Sequence, residues 1–333
     1  MPLLPLNVIR YLIVCRVNAS MAFLPLFPSV EFSLVLGTFI AERLPTVQAR
    51  AWRKALMAWE EYGGISLIKK RSLKNVPRAD WPLEAVLFCY PGKKVYGEGE
   101  LIMLELKLMG ESADHALFLE TILPALETAS STIDGCWQAP YSIWGRFDIK
   151  SIYVARGPKW EPLVDDGRLD LRYKATPLQW SEGLCFHSDS QRLLRNLTWV
   201  TPFDLRPNET DGNNEENRLK ITPGEVPSLK EILTSFMLRM NSFSTGKRNK
   251  GIQFWDLLSS RDRNSFQEAL EQSSDIPMIH GAFQSVPRRW PGRWIGSQKF
   301  SIIPDSIVPY LGLASIFHIG EHTHFGCGTF VLD

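Results

Sequence analysis

The chain has 333 residues, 44% of them hydrophobic and 22% charged, which is the make-up of a globular protein long enough for two domains rather than one small core. Its formal net charge of +1 points to no partner for the chain as a whole, so any charged surface must be local. The five scattered cysteines, an odd number without a CxxC pair, argue against a disulfide framework and fit a reduced, cytoplasmic setting.

Residues 7–18 are rich in Val, Ile, Leu and Tyr and predict a buried strand. The run 21–40, MAFLPLFPSVEFSLVLGTFI, is about as long as a membrane span, but Pro25, Pro28, Glu31 and Gly37 interrupt it. It reads as core strand and helix. The opening residues lack the basic start of a signal peptide. Residues 30–44 predict a helix ending before Pro45. Residues 46–62 predict another, with Thr46 as N-cap and Gly63-Gly64 as its stop. Strands follow at 85–90 and 99–108. A helix at 113–128 carries Leu117, Leu119, Ile122 and Leu126 on one face, and a strand at 142–154 comes after Gly135. Strand, helix, strand, strand, helix, strand is the order of a ferredoxin-like βαββαβ unit. Residues 156–195 read as a mixed connector with short strands.

The second half repeats that order less cleanly. It runs from a strand at 197–205 through a polar loop at 206–225 to an amphipathic helix at 228–242. A basic loop at 244–251 and an inserted helical stretch at 254–272 come next. Strands at 277–283 and 294–303, a helix at 305–317 and a last strand at 328–332 complete it. The predicted fold class is α+β: two ferredoxin-like (RRM-like) βαββαβ domains in tandem, residues 1–155 and 196–333, joined by 156–195.

Charge is concentrated locally. Residues 43–78 hold nine Lys/Arg against Glu60 and Glu61, and residues 239–299 hold ten against five acids. On the 46–62 helix, Arg50, Arg53 and Lys54 share a face by i, i+3, i+4 spacing. They could track phosphates or form a plain solvated face. The stretch VPRRWPGRW interleaves Arg288, Arg289 and Arg293 with Trp290 and Trp294, a pairing suited to phosphate contact and base stacking. GKRNKG presents Lys247, Arg248 and Lys250 on a basic hairpin tip. Arg146 and Lys150 fall on one face of their strand.

The chain ends in FHIGEHTHFGCGTFVLD, which contains His318, His322 and His324, three of its six histidines, among Gly320, Gly326 and Gly328. Glycines permit positive φ and close backbone approach, and successive N–H groups in such a turn can form an anion nest. A helix-capping structural role suits His318 as well as a functional one does. His318, His322, His324 and Cys327 also offer borderline-soft donors for zinc, which is the competing reading. His115 reads as a solvated residue at a helix start, and His187 and His280 have no supporting pattern.

Two ferredoxin-like units with a terminal glycine turn resemble the RAMP-superfamily CRISPR-associated endoribonucleases, which process CRISPR precursor RNA. FHIGEHTHFGCG resembles the ending lHxGKgtxFGlG of one branch. GEGELIMLELKLMG, GCWQAPYSIWGRFDI and LTWVTPFDL resemble further family segments. Glu321 stands where the family has Lys, and no histidine precedes His115. The resemblance implies a catalytic histidine among His318, His322 and His324. It implies RNA contacts from Gly320, Gly326, Gly328 and the basic residues named above. It further implies cleavage without metal or cofactor, retention of the guide RNA, association with other CRISPR effector subunits, and no membrane partner. In such cleavage the RNA supplies its own nucleophile, the 2′-OH, and histidine suits the acid or base role. A non-catalytic RNA-binding subunit of the same superfamily is the alternative reading.

Overall fold

The computed structural model describes residues 6–57, 59, 81–133, 141–184, 186, 194–205, 226–244, 254–287 and 290–333. The polar loop at 206–225, most of the basic loop at 244–251, and Gly135 lie outside them. The chain divides into two compact units, Leu6–Gly183 and, for the most part, Leu184–Asp333.

In the first unit, β1 (Val8–Val17), β2 (Ala22–Phe23), α1 (Pro28–Arg43) and α2 (Thr46–Met57) precede β3 (Ala85–Cys89), β4 (Val95–Tyr96) and β5 (Leu101–Met109). A broken helix, α3 (His115–Leu117) and α4 (Leu123–Ser131), leads to β6 (Phe147–Arg156), β7 (Lys159–Asp165) and β8 (Arg168–Leu169). The main sheet has the order β3-β5-β1-β6-β7-β8, and its pairs are antiparallel. Its first four strands are the second, third, first and fourth of a βαββαβ unit, the ferredoxin-like arrangement. The hairpin of β7 and β8, which falls in the predicted connector, extends the sheet beyond β6.

The second unit contains β9 (Asn196–Trp199), α5 (Leu229–Ser244), α6 (Phe254–Leu257), α7 (Ser260–Gln272), β10 (Met278–Ser285), β11 (Trp294–Phe300), α8 (Val308–Phe317) and β12 (Phe330–Leu332). Its sheet runs β10-β11-β9-β12, again second, third, first, fourth. The ferredoxin-like fold therefore occurs twice, with α6 and α7 inserted in the second copy.

Alternation along β1 decides which face meets the helices. Tyr11 stacks on Phe118 with centroids 3.7 Å apart, so Ile9, Tyr11 and Ile13 face the helical layer. Arg10 and Leu12 face the other way. In the second unit Trp199, Phe300, Phe317 and Phe330 are fully buried, and Trp199 meets Phe330 edge-on at 5.0 Å. The apolar run 21–40 forms β2 and most of α1, a helix buried on nearly every side. Among the described residues no helix is long and apolar enough to cross a membrane.

Three local expectations are corrected. Helix α2 begins at Thr46 itself: Pro45 holds the cap position, its carbonyl accepting from Ala49 N–H at 2.9 Å. The helix predicted over 113–128 is interrupted by a π-turn over Phe118–Ile122, because Pro124 has no N–H to continue the α-helical ladder. The strand predicted over 197–205 stops at Trp199. Beyond it Pro202 cannot donate, and neighbouring backbone groups bond to the terminal turn.

Glu31 of α1 is buried, and it accepts the Trp144 Nε1–H at 2.6 Å. Burial pushes its carboxyl up to about 7, and the indole bond only partly offsets this. The folded value lies above the unfolded one, so protonated Glu31 contributes its full stability below the ordinary carboxylate range. That contribution is lost as pH rises through about 7. We expect Glu31→Gln, which can still accept from Trp144, to flatten this slope and raise stability at pH 8 by about 2–3 kcal/mol. Urea midpoints measured from pH 5 to 8 check it; parallel curves for the two proteins contradict it.

Candidate active site and nucleic-acid interface

Helix α8 ends at Phe317, and the cap residue His318 has a positive φ of 56°. Such a conformation costs a non-glycine residue about 1–3 kcal/mol, so the surroundings must impose it. His318 is fully buried, and its Nδ1 lies 3.0 Å from Gly326 O and 3.1 Å from Cys327 O. Carbonyls only accept, so Nδ1 carries the hydrogen. The ring is thus a strut across the glycine turn.

The glycines let backbone meet backbone. Gly328 has φ +83°, and a β-carbon there would lie 1.9 Å from Ile319 O. Gly320 has φ +84°, with Asp204 O 2.2 Å from the same position. The turn's donors are then satisfied, three within the turn and two by residues 202 and 204. Ile319 N–H donates to Gly328 O at 3.0 Å and Glu321 N–H to Asp204 O at 2.8 Å. Phe325 N–H donates to His322 O at 3.0 Å, Gly326 N–H to Thr323 O at 2.8 Å, and Gly328 N–H to Pro202 O at 2.8 Å. These five donors are therefore withdrawn from the anion nest that the glycine pattern predicts.

His322 and His324 stand differently from His318. Both are half-buried, with ring centroids 6.2 Å apart and planes at 82°. His322 adopts the left-handed conformation, φ 58° and ψ 29°. The His324 ring packs on Phe325 at 4.1 Å, and Phe325 is buried. The two imidazoles are thus held on a rigid support, both partly exposed, with the Nε2 atom of His324 itself buried.

Residues 201–205 receive this turn and also receive Arg293. The N–H groups of Arg293 and Trp294 both donate to Phe203 O, at 2.9 and 3.1 Å. The half-buried Arg293 guanidinium lies 5.6 Å from the centroid of its neighbour Trp294. Arg293 and the histidine turn are therefore pinned to the same five-residue segment.

The zinc reading finds little support in this arrangement. His318 Nδ1 is spent on two carbonyls, and burial pushes the Cys327 thiol up, away from the thiolate a metal needs. Among the described residues no three His, Cys, Asp or Glu side chains gather as a ligand set.

Arg50, Arg53 and Lys54 lie in the first unit, exposed on α2, with Ala49, Trp52, Ala55 and Leu56 buried beneath. Arg288, Arg289, Lys247, Arg248, Lys250 and His187 lie outside the described residues. His280 is exposed on β10. His115, expected to be solvated, is half-buried with Nδ1 2.9 Å from the Tyr11 hydroxyl, and burial pushes its pKa down.

Sequence reasoning missed residues 201–205 as the seat of the turn, and it missed Arg10, Glu105 and Lys107 in the first sheet. The signal for the latter was present: Glu105 and Lys107 alternate with apolar residues along β5, which places both on one face of a strand.

No protein-family model matches the chain, and no curated protein does. Solved structures do. A chain of a "Partial Cas6-RT-Cas1--Cas2 complex" aligns with 99% of this chain and 47% of its own length, at 15% identity and a TM-score of 0.56. A chain of a "Cas6-RT-Cas1--Cas2 complex" gives the same TM-score and identity over 29% of its own length. Thermus thermophilus Cas6 aligns with 98% of this chain and 99% of itself, at 12% identity and a TM-score of 0.43. This chain spans less than half of each of the first two. At 15% identity the likeness shows a shared fold.

Proposed function

We propose that this chain is a CRISPR precursor-RNA endoribonuclease. It binds repeat RNA, cuts it without metal, keeps the guide RNA and works beside other CRISPR subunits. The observation that carries this reading is the pair His322 and His324, two half-buried imidazoles 6.2 Å apart on a turn with His322 at positive φ. Support comes from the doubled ferredoxin-like fold, which the chain shares with solved chains bearing the name Cas6.

Proton transfer needs a heavy-atom separation of about 2.6–3.2 Å, so two rings at this spacing can flank one phosphodiester. One takes the proton of the 2′-OH, whose oxygen forms a bond to the adjacent phosphorus. The bond from phosphorus to the 5′ oxygen breaks, and the other ring protonates that leaving oxygen. The products are a 2′,3′-cyclic phosphate and a free 5′-OH. Arg293, pinned to the same segment as the turn, supplies positive charge for the phosphorane. His318, buried and bonded to the turn, acts as a positioning residue.

A second reading, a non-catalytic RNA-binding subunit, draws on Glu321 in place of the family's Lys and on the five turn N–H groups already bonded internally. Incubating the protein with repeat RNA in EDTA, with and without a 2′-deoxy sugar at the cut site, separates the two. The proposal expects cleavage that the deoxy sugar abolishes. Binding without cleavage selects the second reading, and cleavage that requires Mg²⁺ overturns the mechanism.

A further inference from the structure

On the face of the first sheet that points away from Phe118, Arg10, Glu105 and Lys107 form a charged cluster on adjacent strands. Arg10 Nε donates to Glu105 Oε1 at 2.6 Å, Tyr90 OH donates to Glu105 Oε2 at 3.0 Å, and Lys107 Nζ lies 3.8 Å from Oε2. The register pairs Arg10 with Lys107 and Phe88 with Glu105, so these side chains share one face. Burial by itself would raise the Glu105 carboxyl, but Lys107 and Arg10 outweigh it and hold the group ionised.

The engagement of Arg10 is incomplete for a structural ion pair. Arginine usually grips a carboxylate through two parallel N–H bonds. Here only Nε is used, and among the described residues neither Nη makes a hydrogen bond to protein. The Arg10 side chain keeps 13% exposure, against 3% for Glu105. Its guanidinium lies 5.3 Å from the centroid of Trp160, itself half-buried. Tyr90 on the same face is 38% exposed and Met103 45%. Glu105 therefore fixes the guanidinium through Nε and leaves the two Nη groups without a protein hydrogen bond among the described residues, beside an aromatic ring.

We propose that Arg10 and Trp160 form an RNA subsite of the first unit that takes one phosphate of single-stranded RNA on the Arg10 fork and stacks its base on Trp160. Guanidinium matches phosphate through two donors, and base–aromatic stacking tolerates any base. The subsite accordingly holds unpaired RNA without reading its sequence.

The test uses the full chain, a short fluorescent oligouridylate and anisotropy over a range of salt. Arg10→Gln is expected to weaken binding about tenfold and to make the slope of log K against log salt shallower by about 0.7, the value for one lost single-strand phosphate contact. Trp160→Leu, which leaves the Arg10–Glu105 contact in place, is expected to weaken binding about tenfold with the salt slope unchanged. Thermal melts accompany both; if Arg10→Gln melts early, Trp160→Leu decides. Wild-type affinity and slope in the folded variants overturn the proposal. Displacement of the oligomer by an equal concentration of inorganic phosphate does so too, since it marks a free-anion site. Cleavage of repeat RNA is scored separately, so an uncut repeat with the oligomer still bound counts only against the proposed nuclease activity.

Discussion

Replacing both His322 and His324 by alanine lowers the single-turnover cleavage rate by about 10²–10⁴-fold and changes RNA affinity less than about threefold. General acid–base catalysis contributes on that scale, and two groups acting on one proton relay are lost together rather than additively. Each single replacement therefore approaches the cost of the double one. Each also removes one arm of the bell-shaped pH–rate profile, because base and acid titrate on opposite arms. His318→Gln serves as the contrast. His318 is buried and bonded to Gly326 and Cys327, so its loss should lower stability by about 1–3 kcal/mol and leave both arms in place. A His318 variant that folds normally and loses one arm reverses these roles.

Gly328→Ala costs about 3 kcal/mol of unfolding free energy or more. A methyl at φ +83° would lie 1.9 Å from Ile319 O. The opposing atom is backbone, itself held by the Ile319 N–H bond to Gly328 O at 3.0 Å. Neither strand of the turn can swing aside as a long side chain would, so conformational strain and overlap add. Gly99→Ala isolates the first term, since Gly99 has φ +82° with nothing within 4 Å of the added carbon. That variant should lose only about 1–2 kcal/mol. Urea unfolding of the two proteins side by side checks the difference, and equal losses would mean the close approach at Gly328 contributes nothing.

The order of elements was legible because burial leaves a periodic trace. The apolar content of β1, the alternation along β5 and the start signal at Thr46 of α2 place strands and helix where the chain has them. The doubled second-third-first-fourth strand order could only be expected, since pairing such as Val8 with Met109 joins residues far apart in sequence. At the histidine turn the sequence showed that Gly320 and Gly328 permit close approach. It could not show that the approaching atoms are Asp204 O and Ile319 O, nor that the turn's N–H groups would be spent on Pro202 O, Asp204 O and the turn's own carbonyls. His318, His322 and His324 are one residue type in one motif, yet folding buries the first fully and leaves the other two half-buried. The Arg10–Glu105 contact spans 95 residues, beyond the reach of any local pattern. Pro124 was the one visible sign of the π-turn; the apolar face of the surrounding helix masked it.

The most direct measurement of the central claim is the mass of the upstream RNA product formed in EDTA. An account in which the RNA's own 2′-OH attacks between His322 and His324 predicts a 2′,3′-cyclic phosphate on that product and a 5′-hydroxyl on the other. A 3′-hydroxyl paired with a 5′-phosphate would contradict it, because water and not the ribose would then have been the nucleophile.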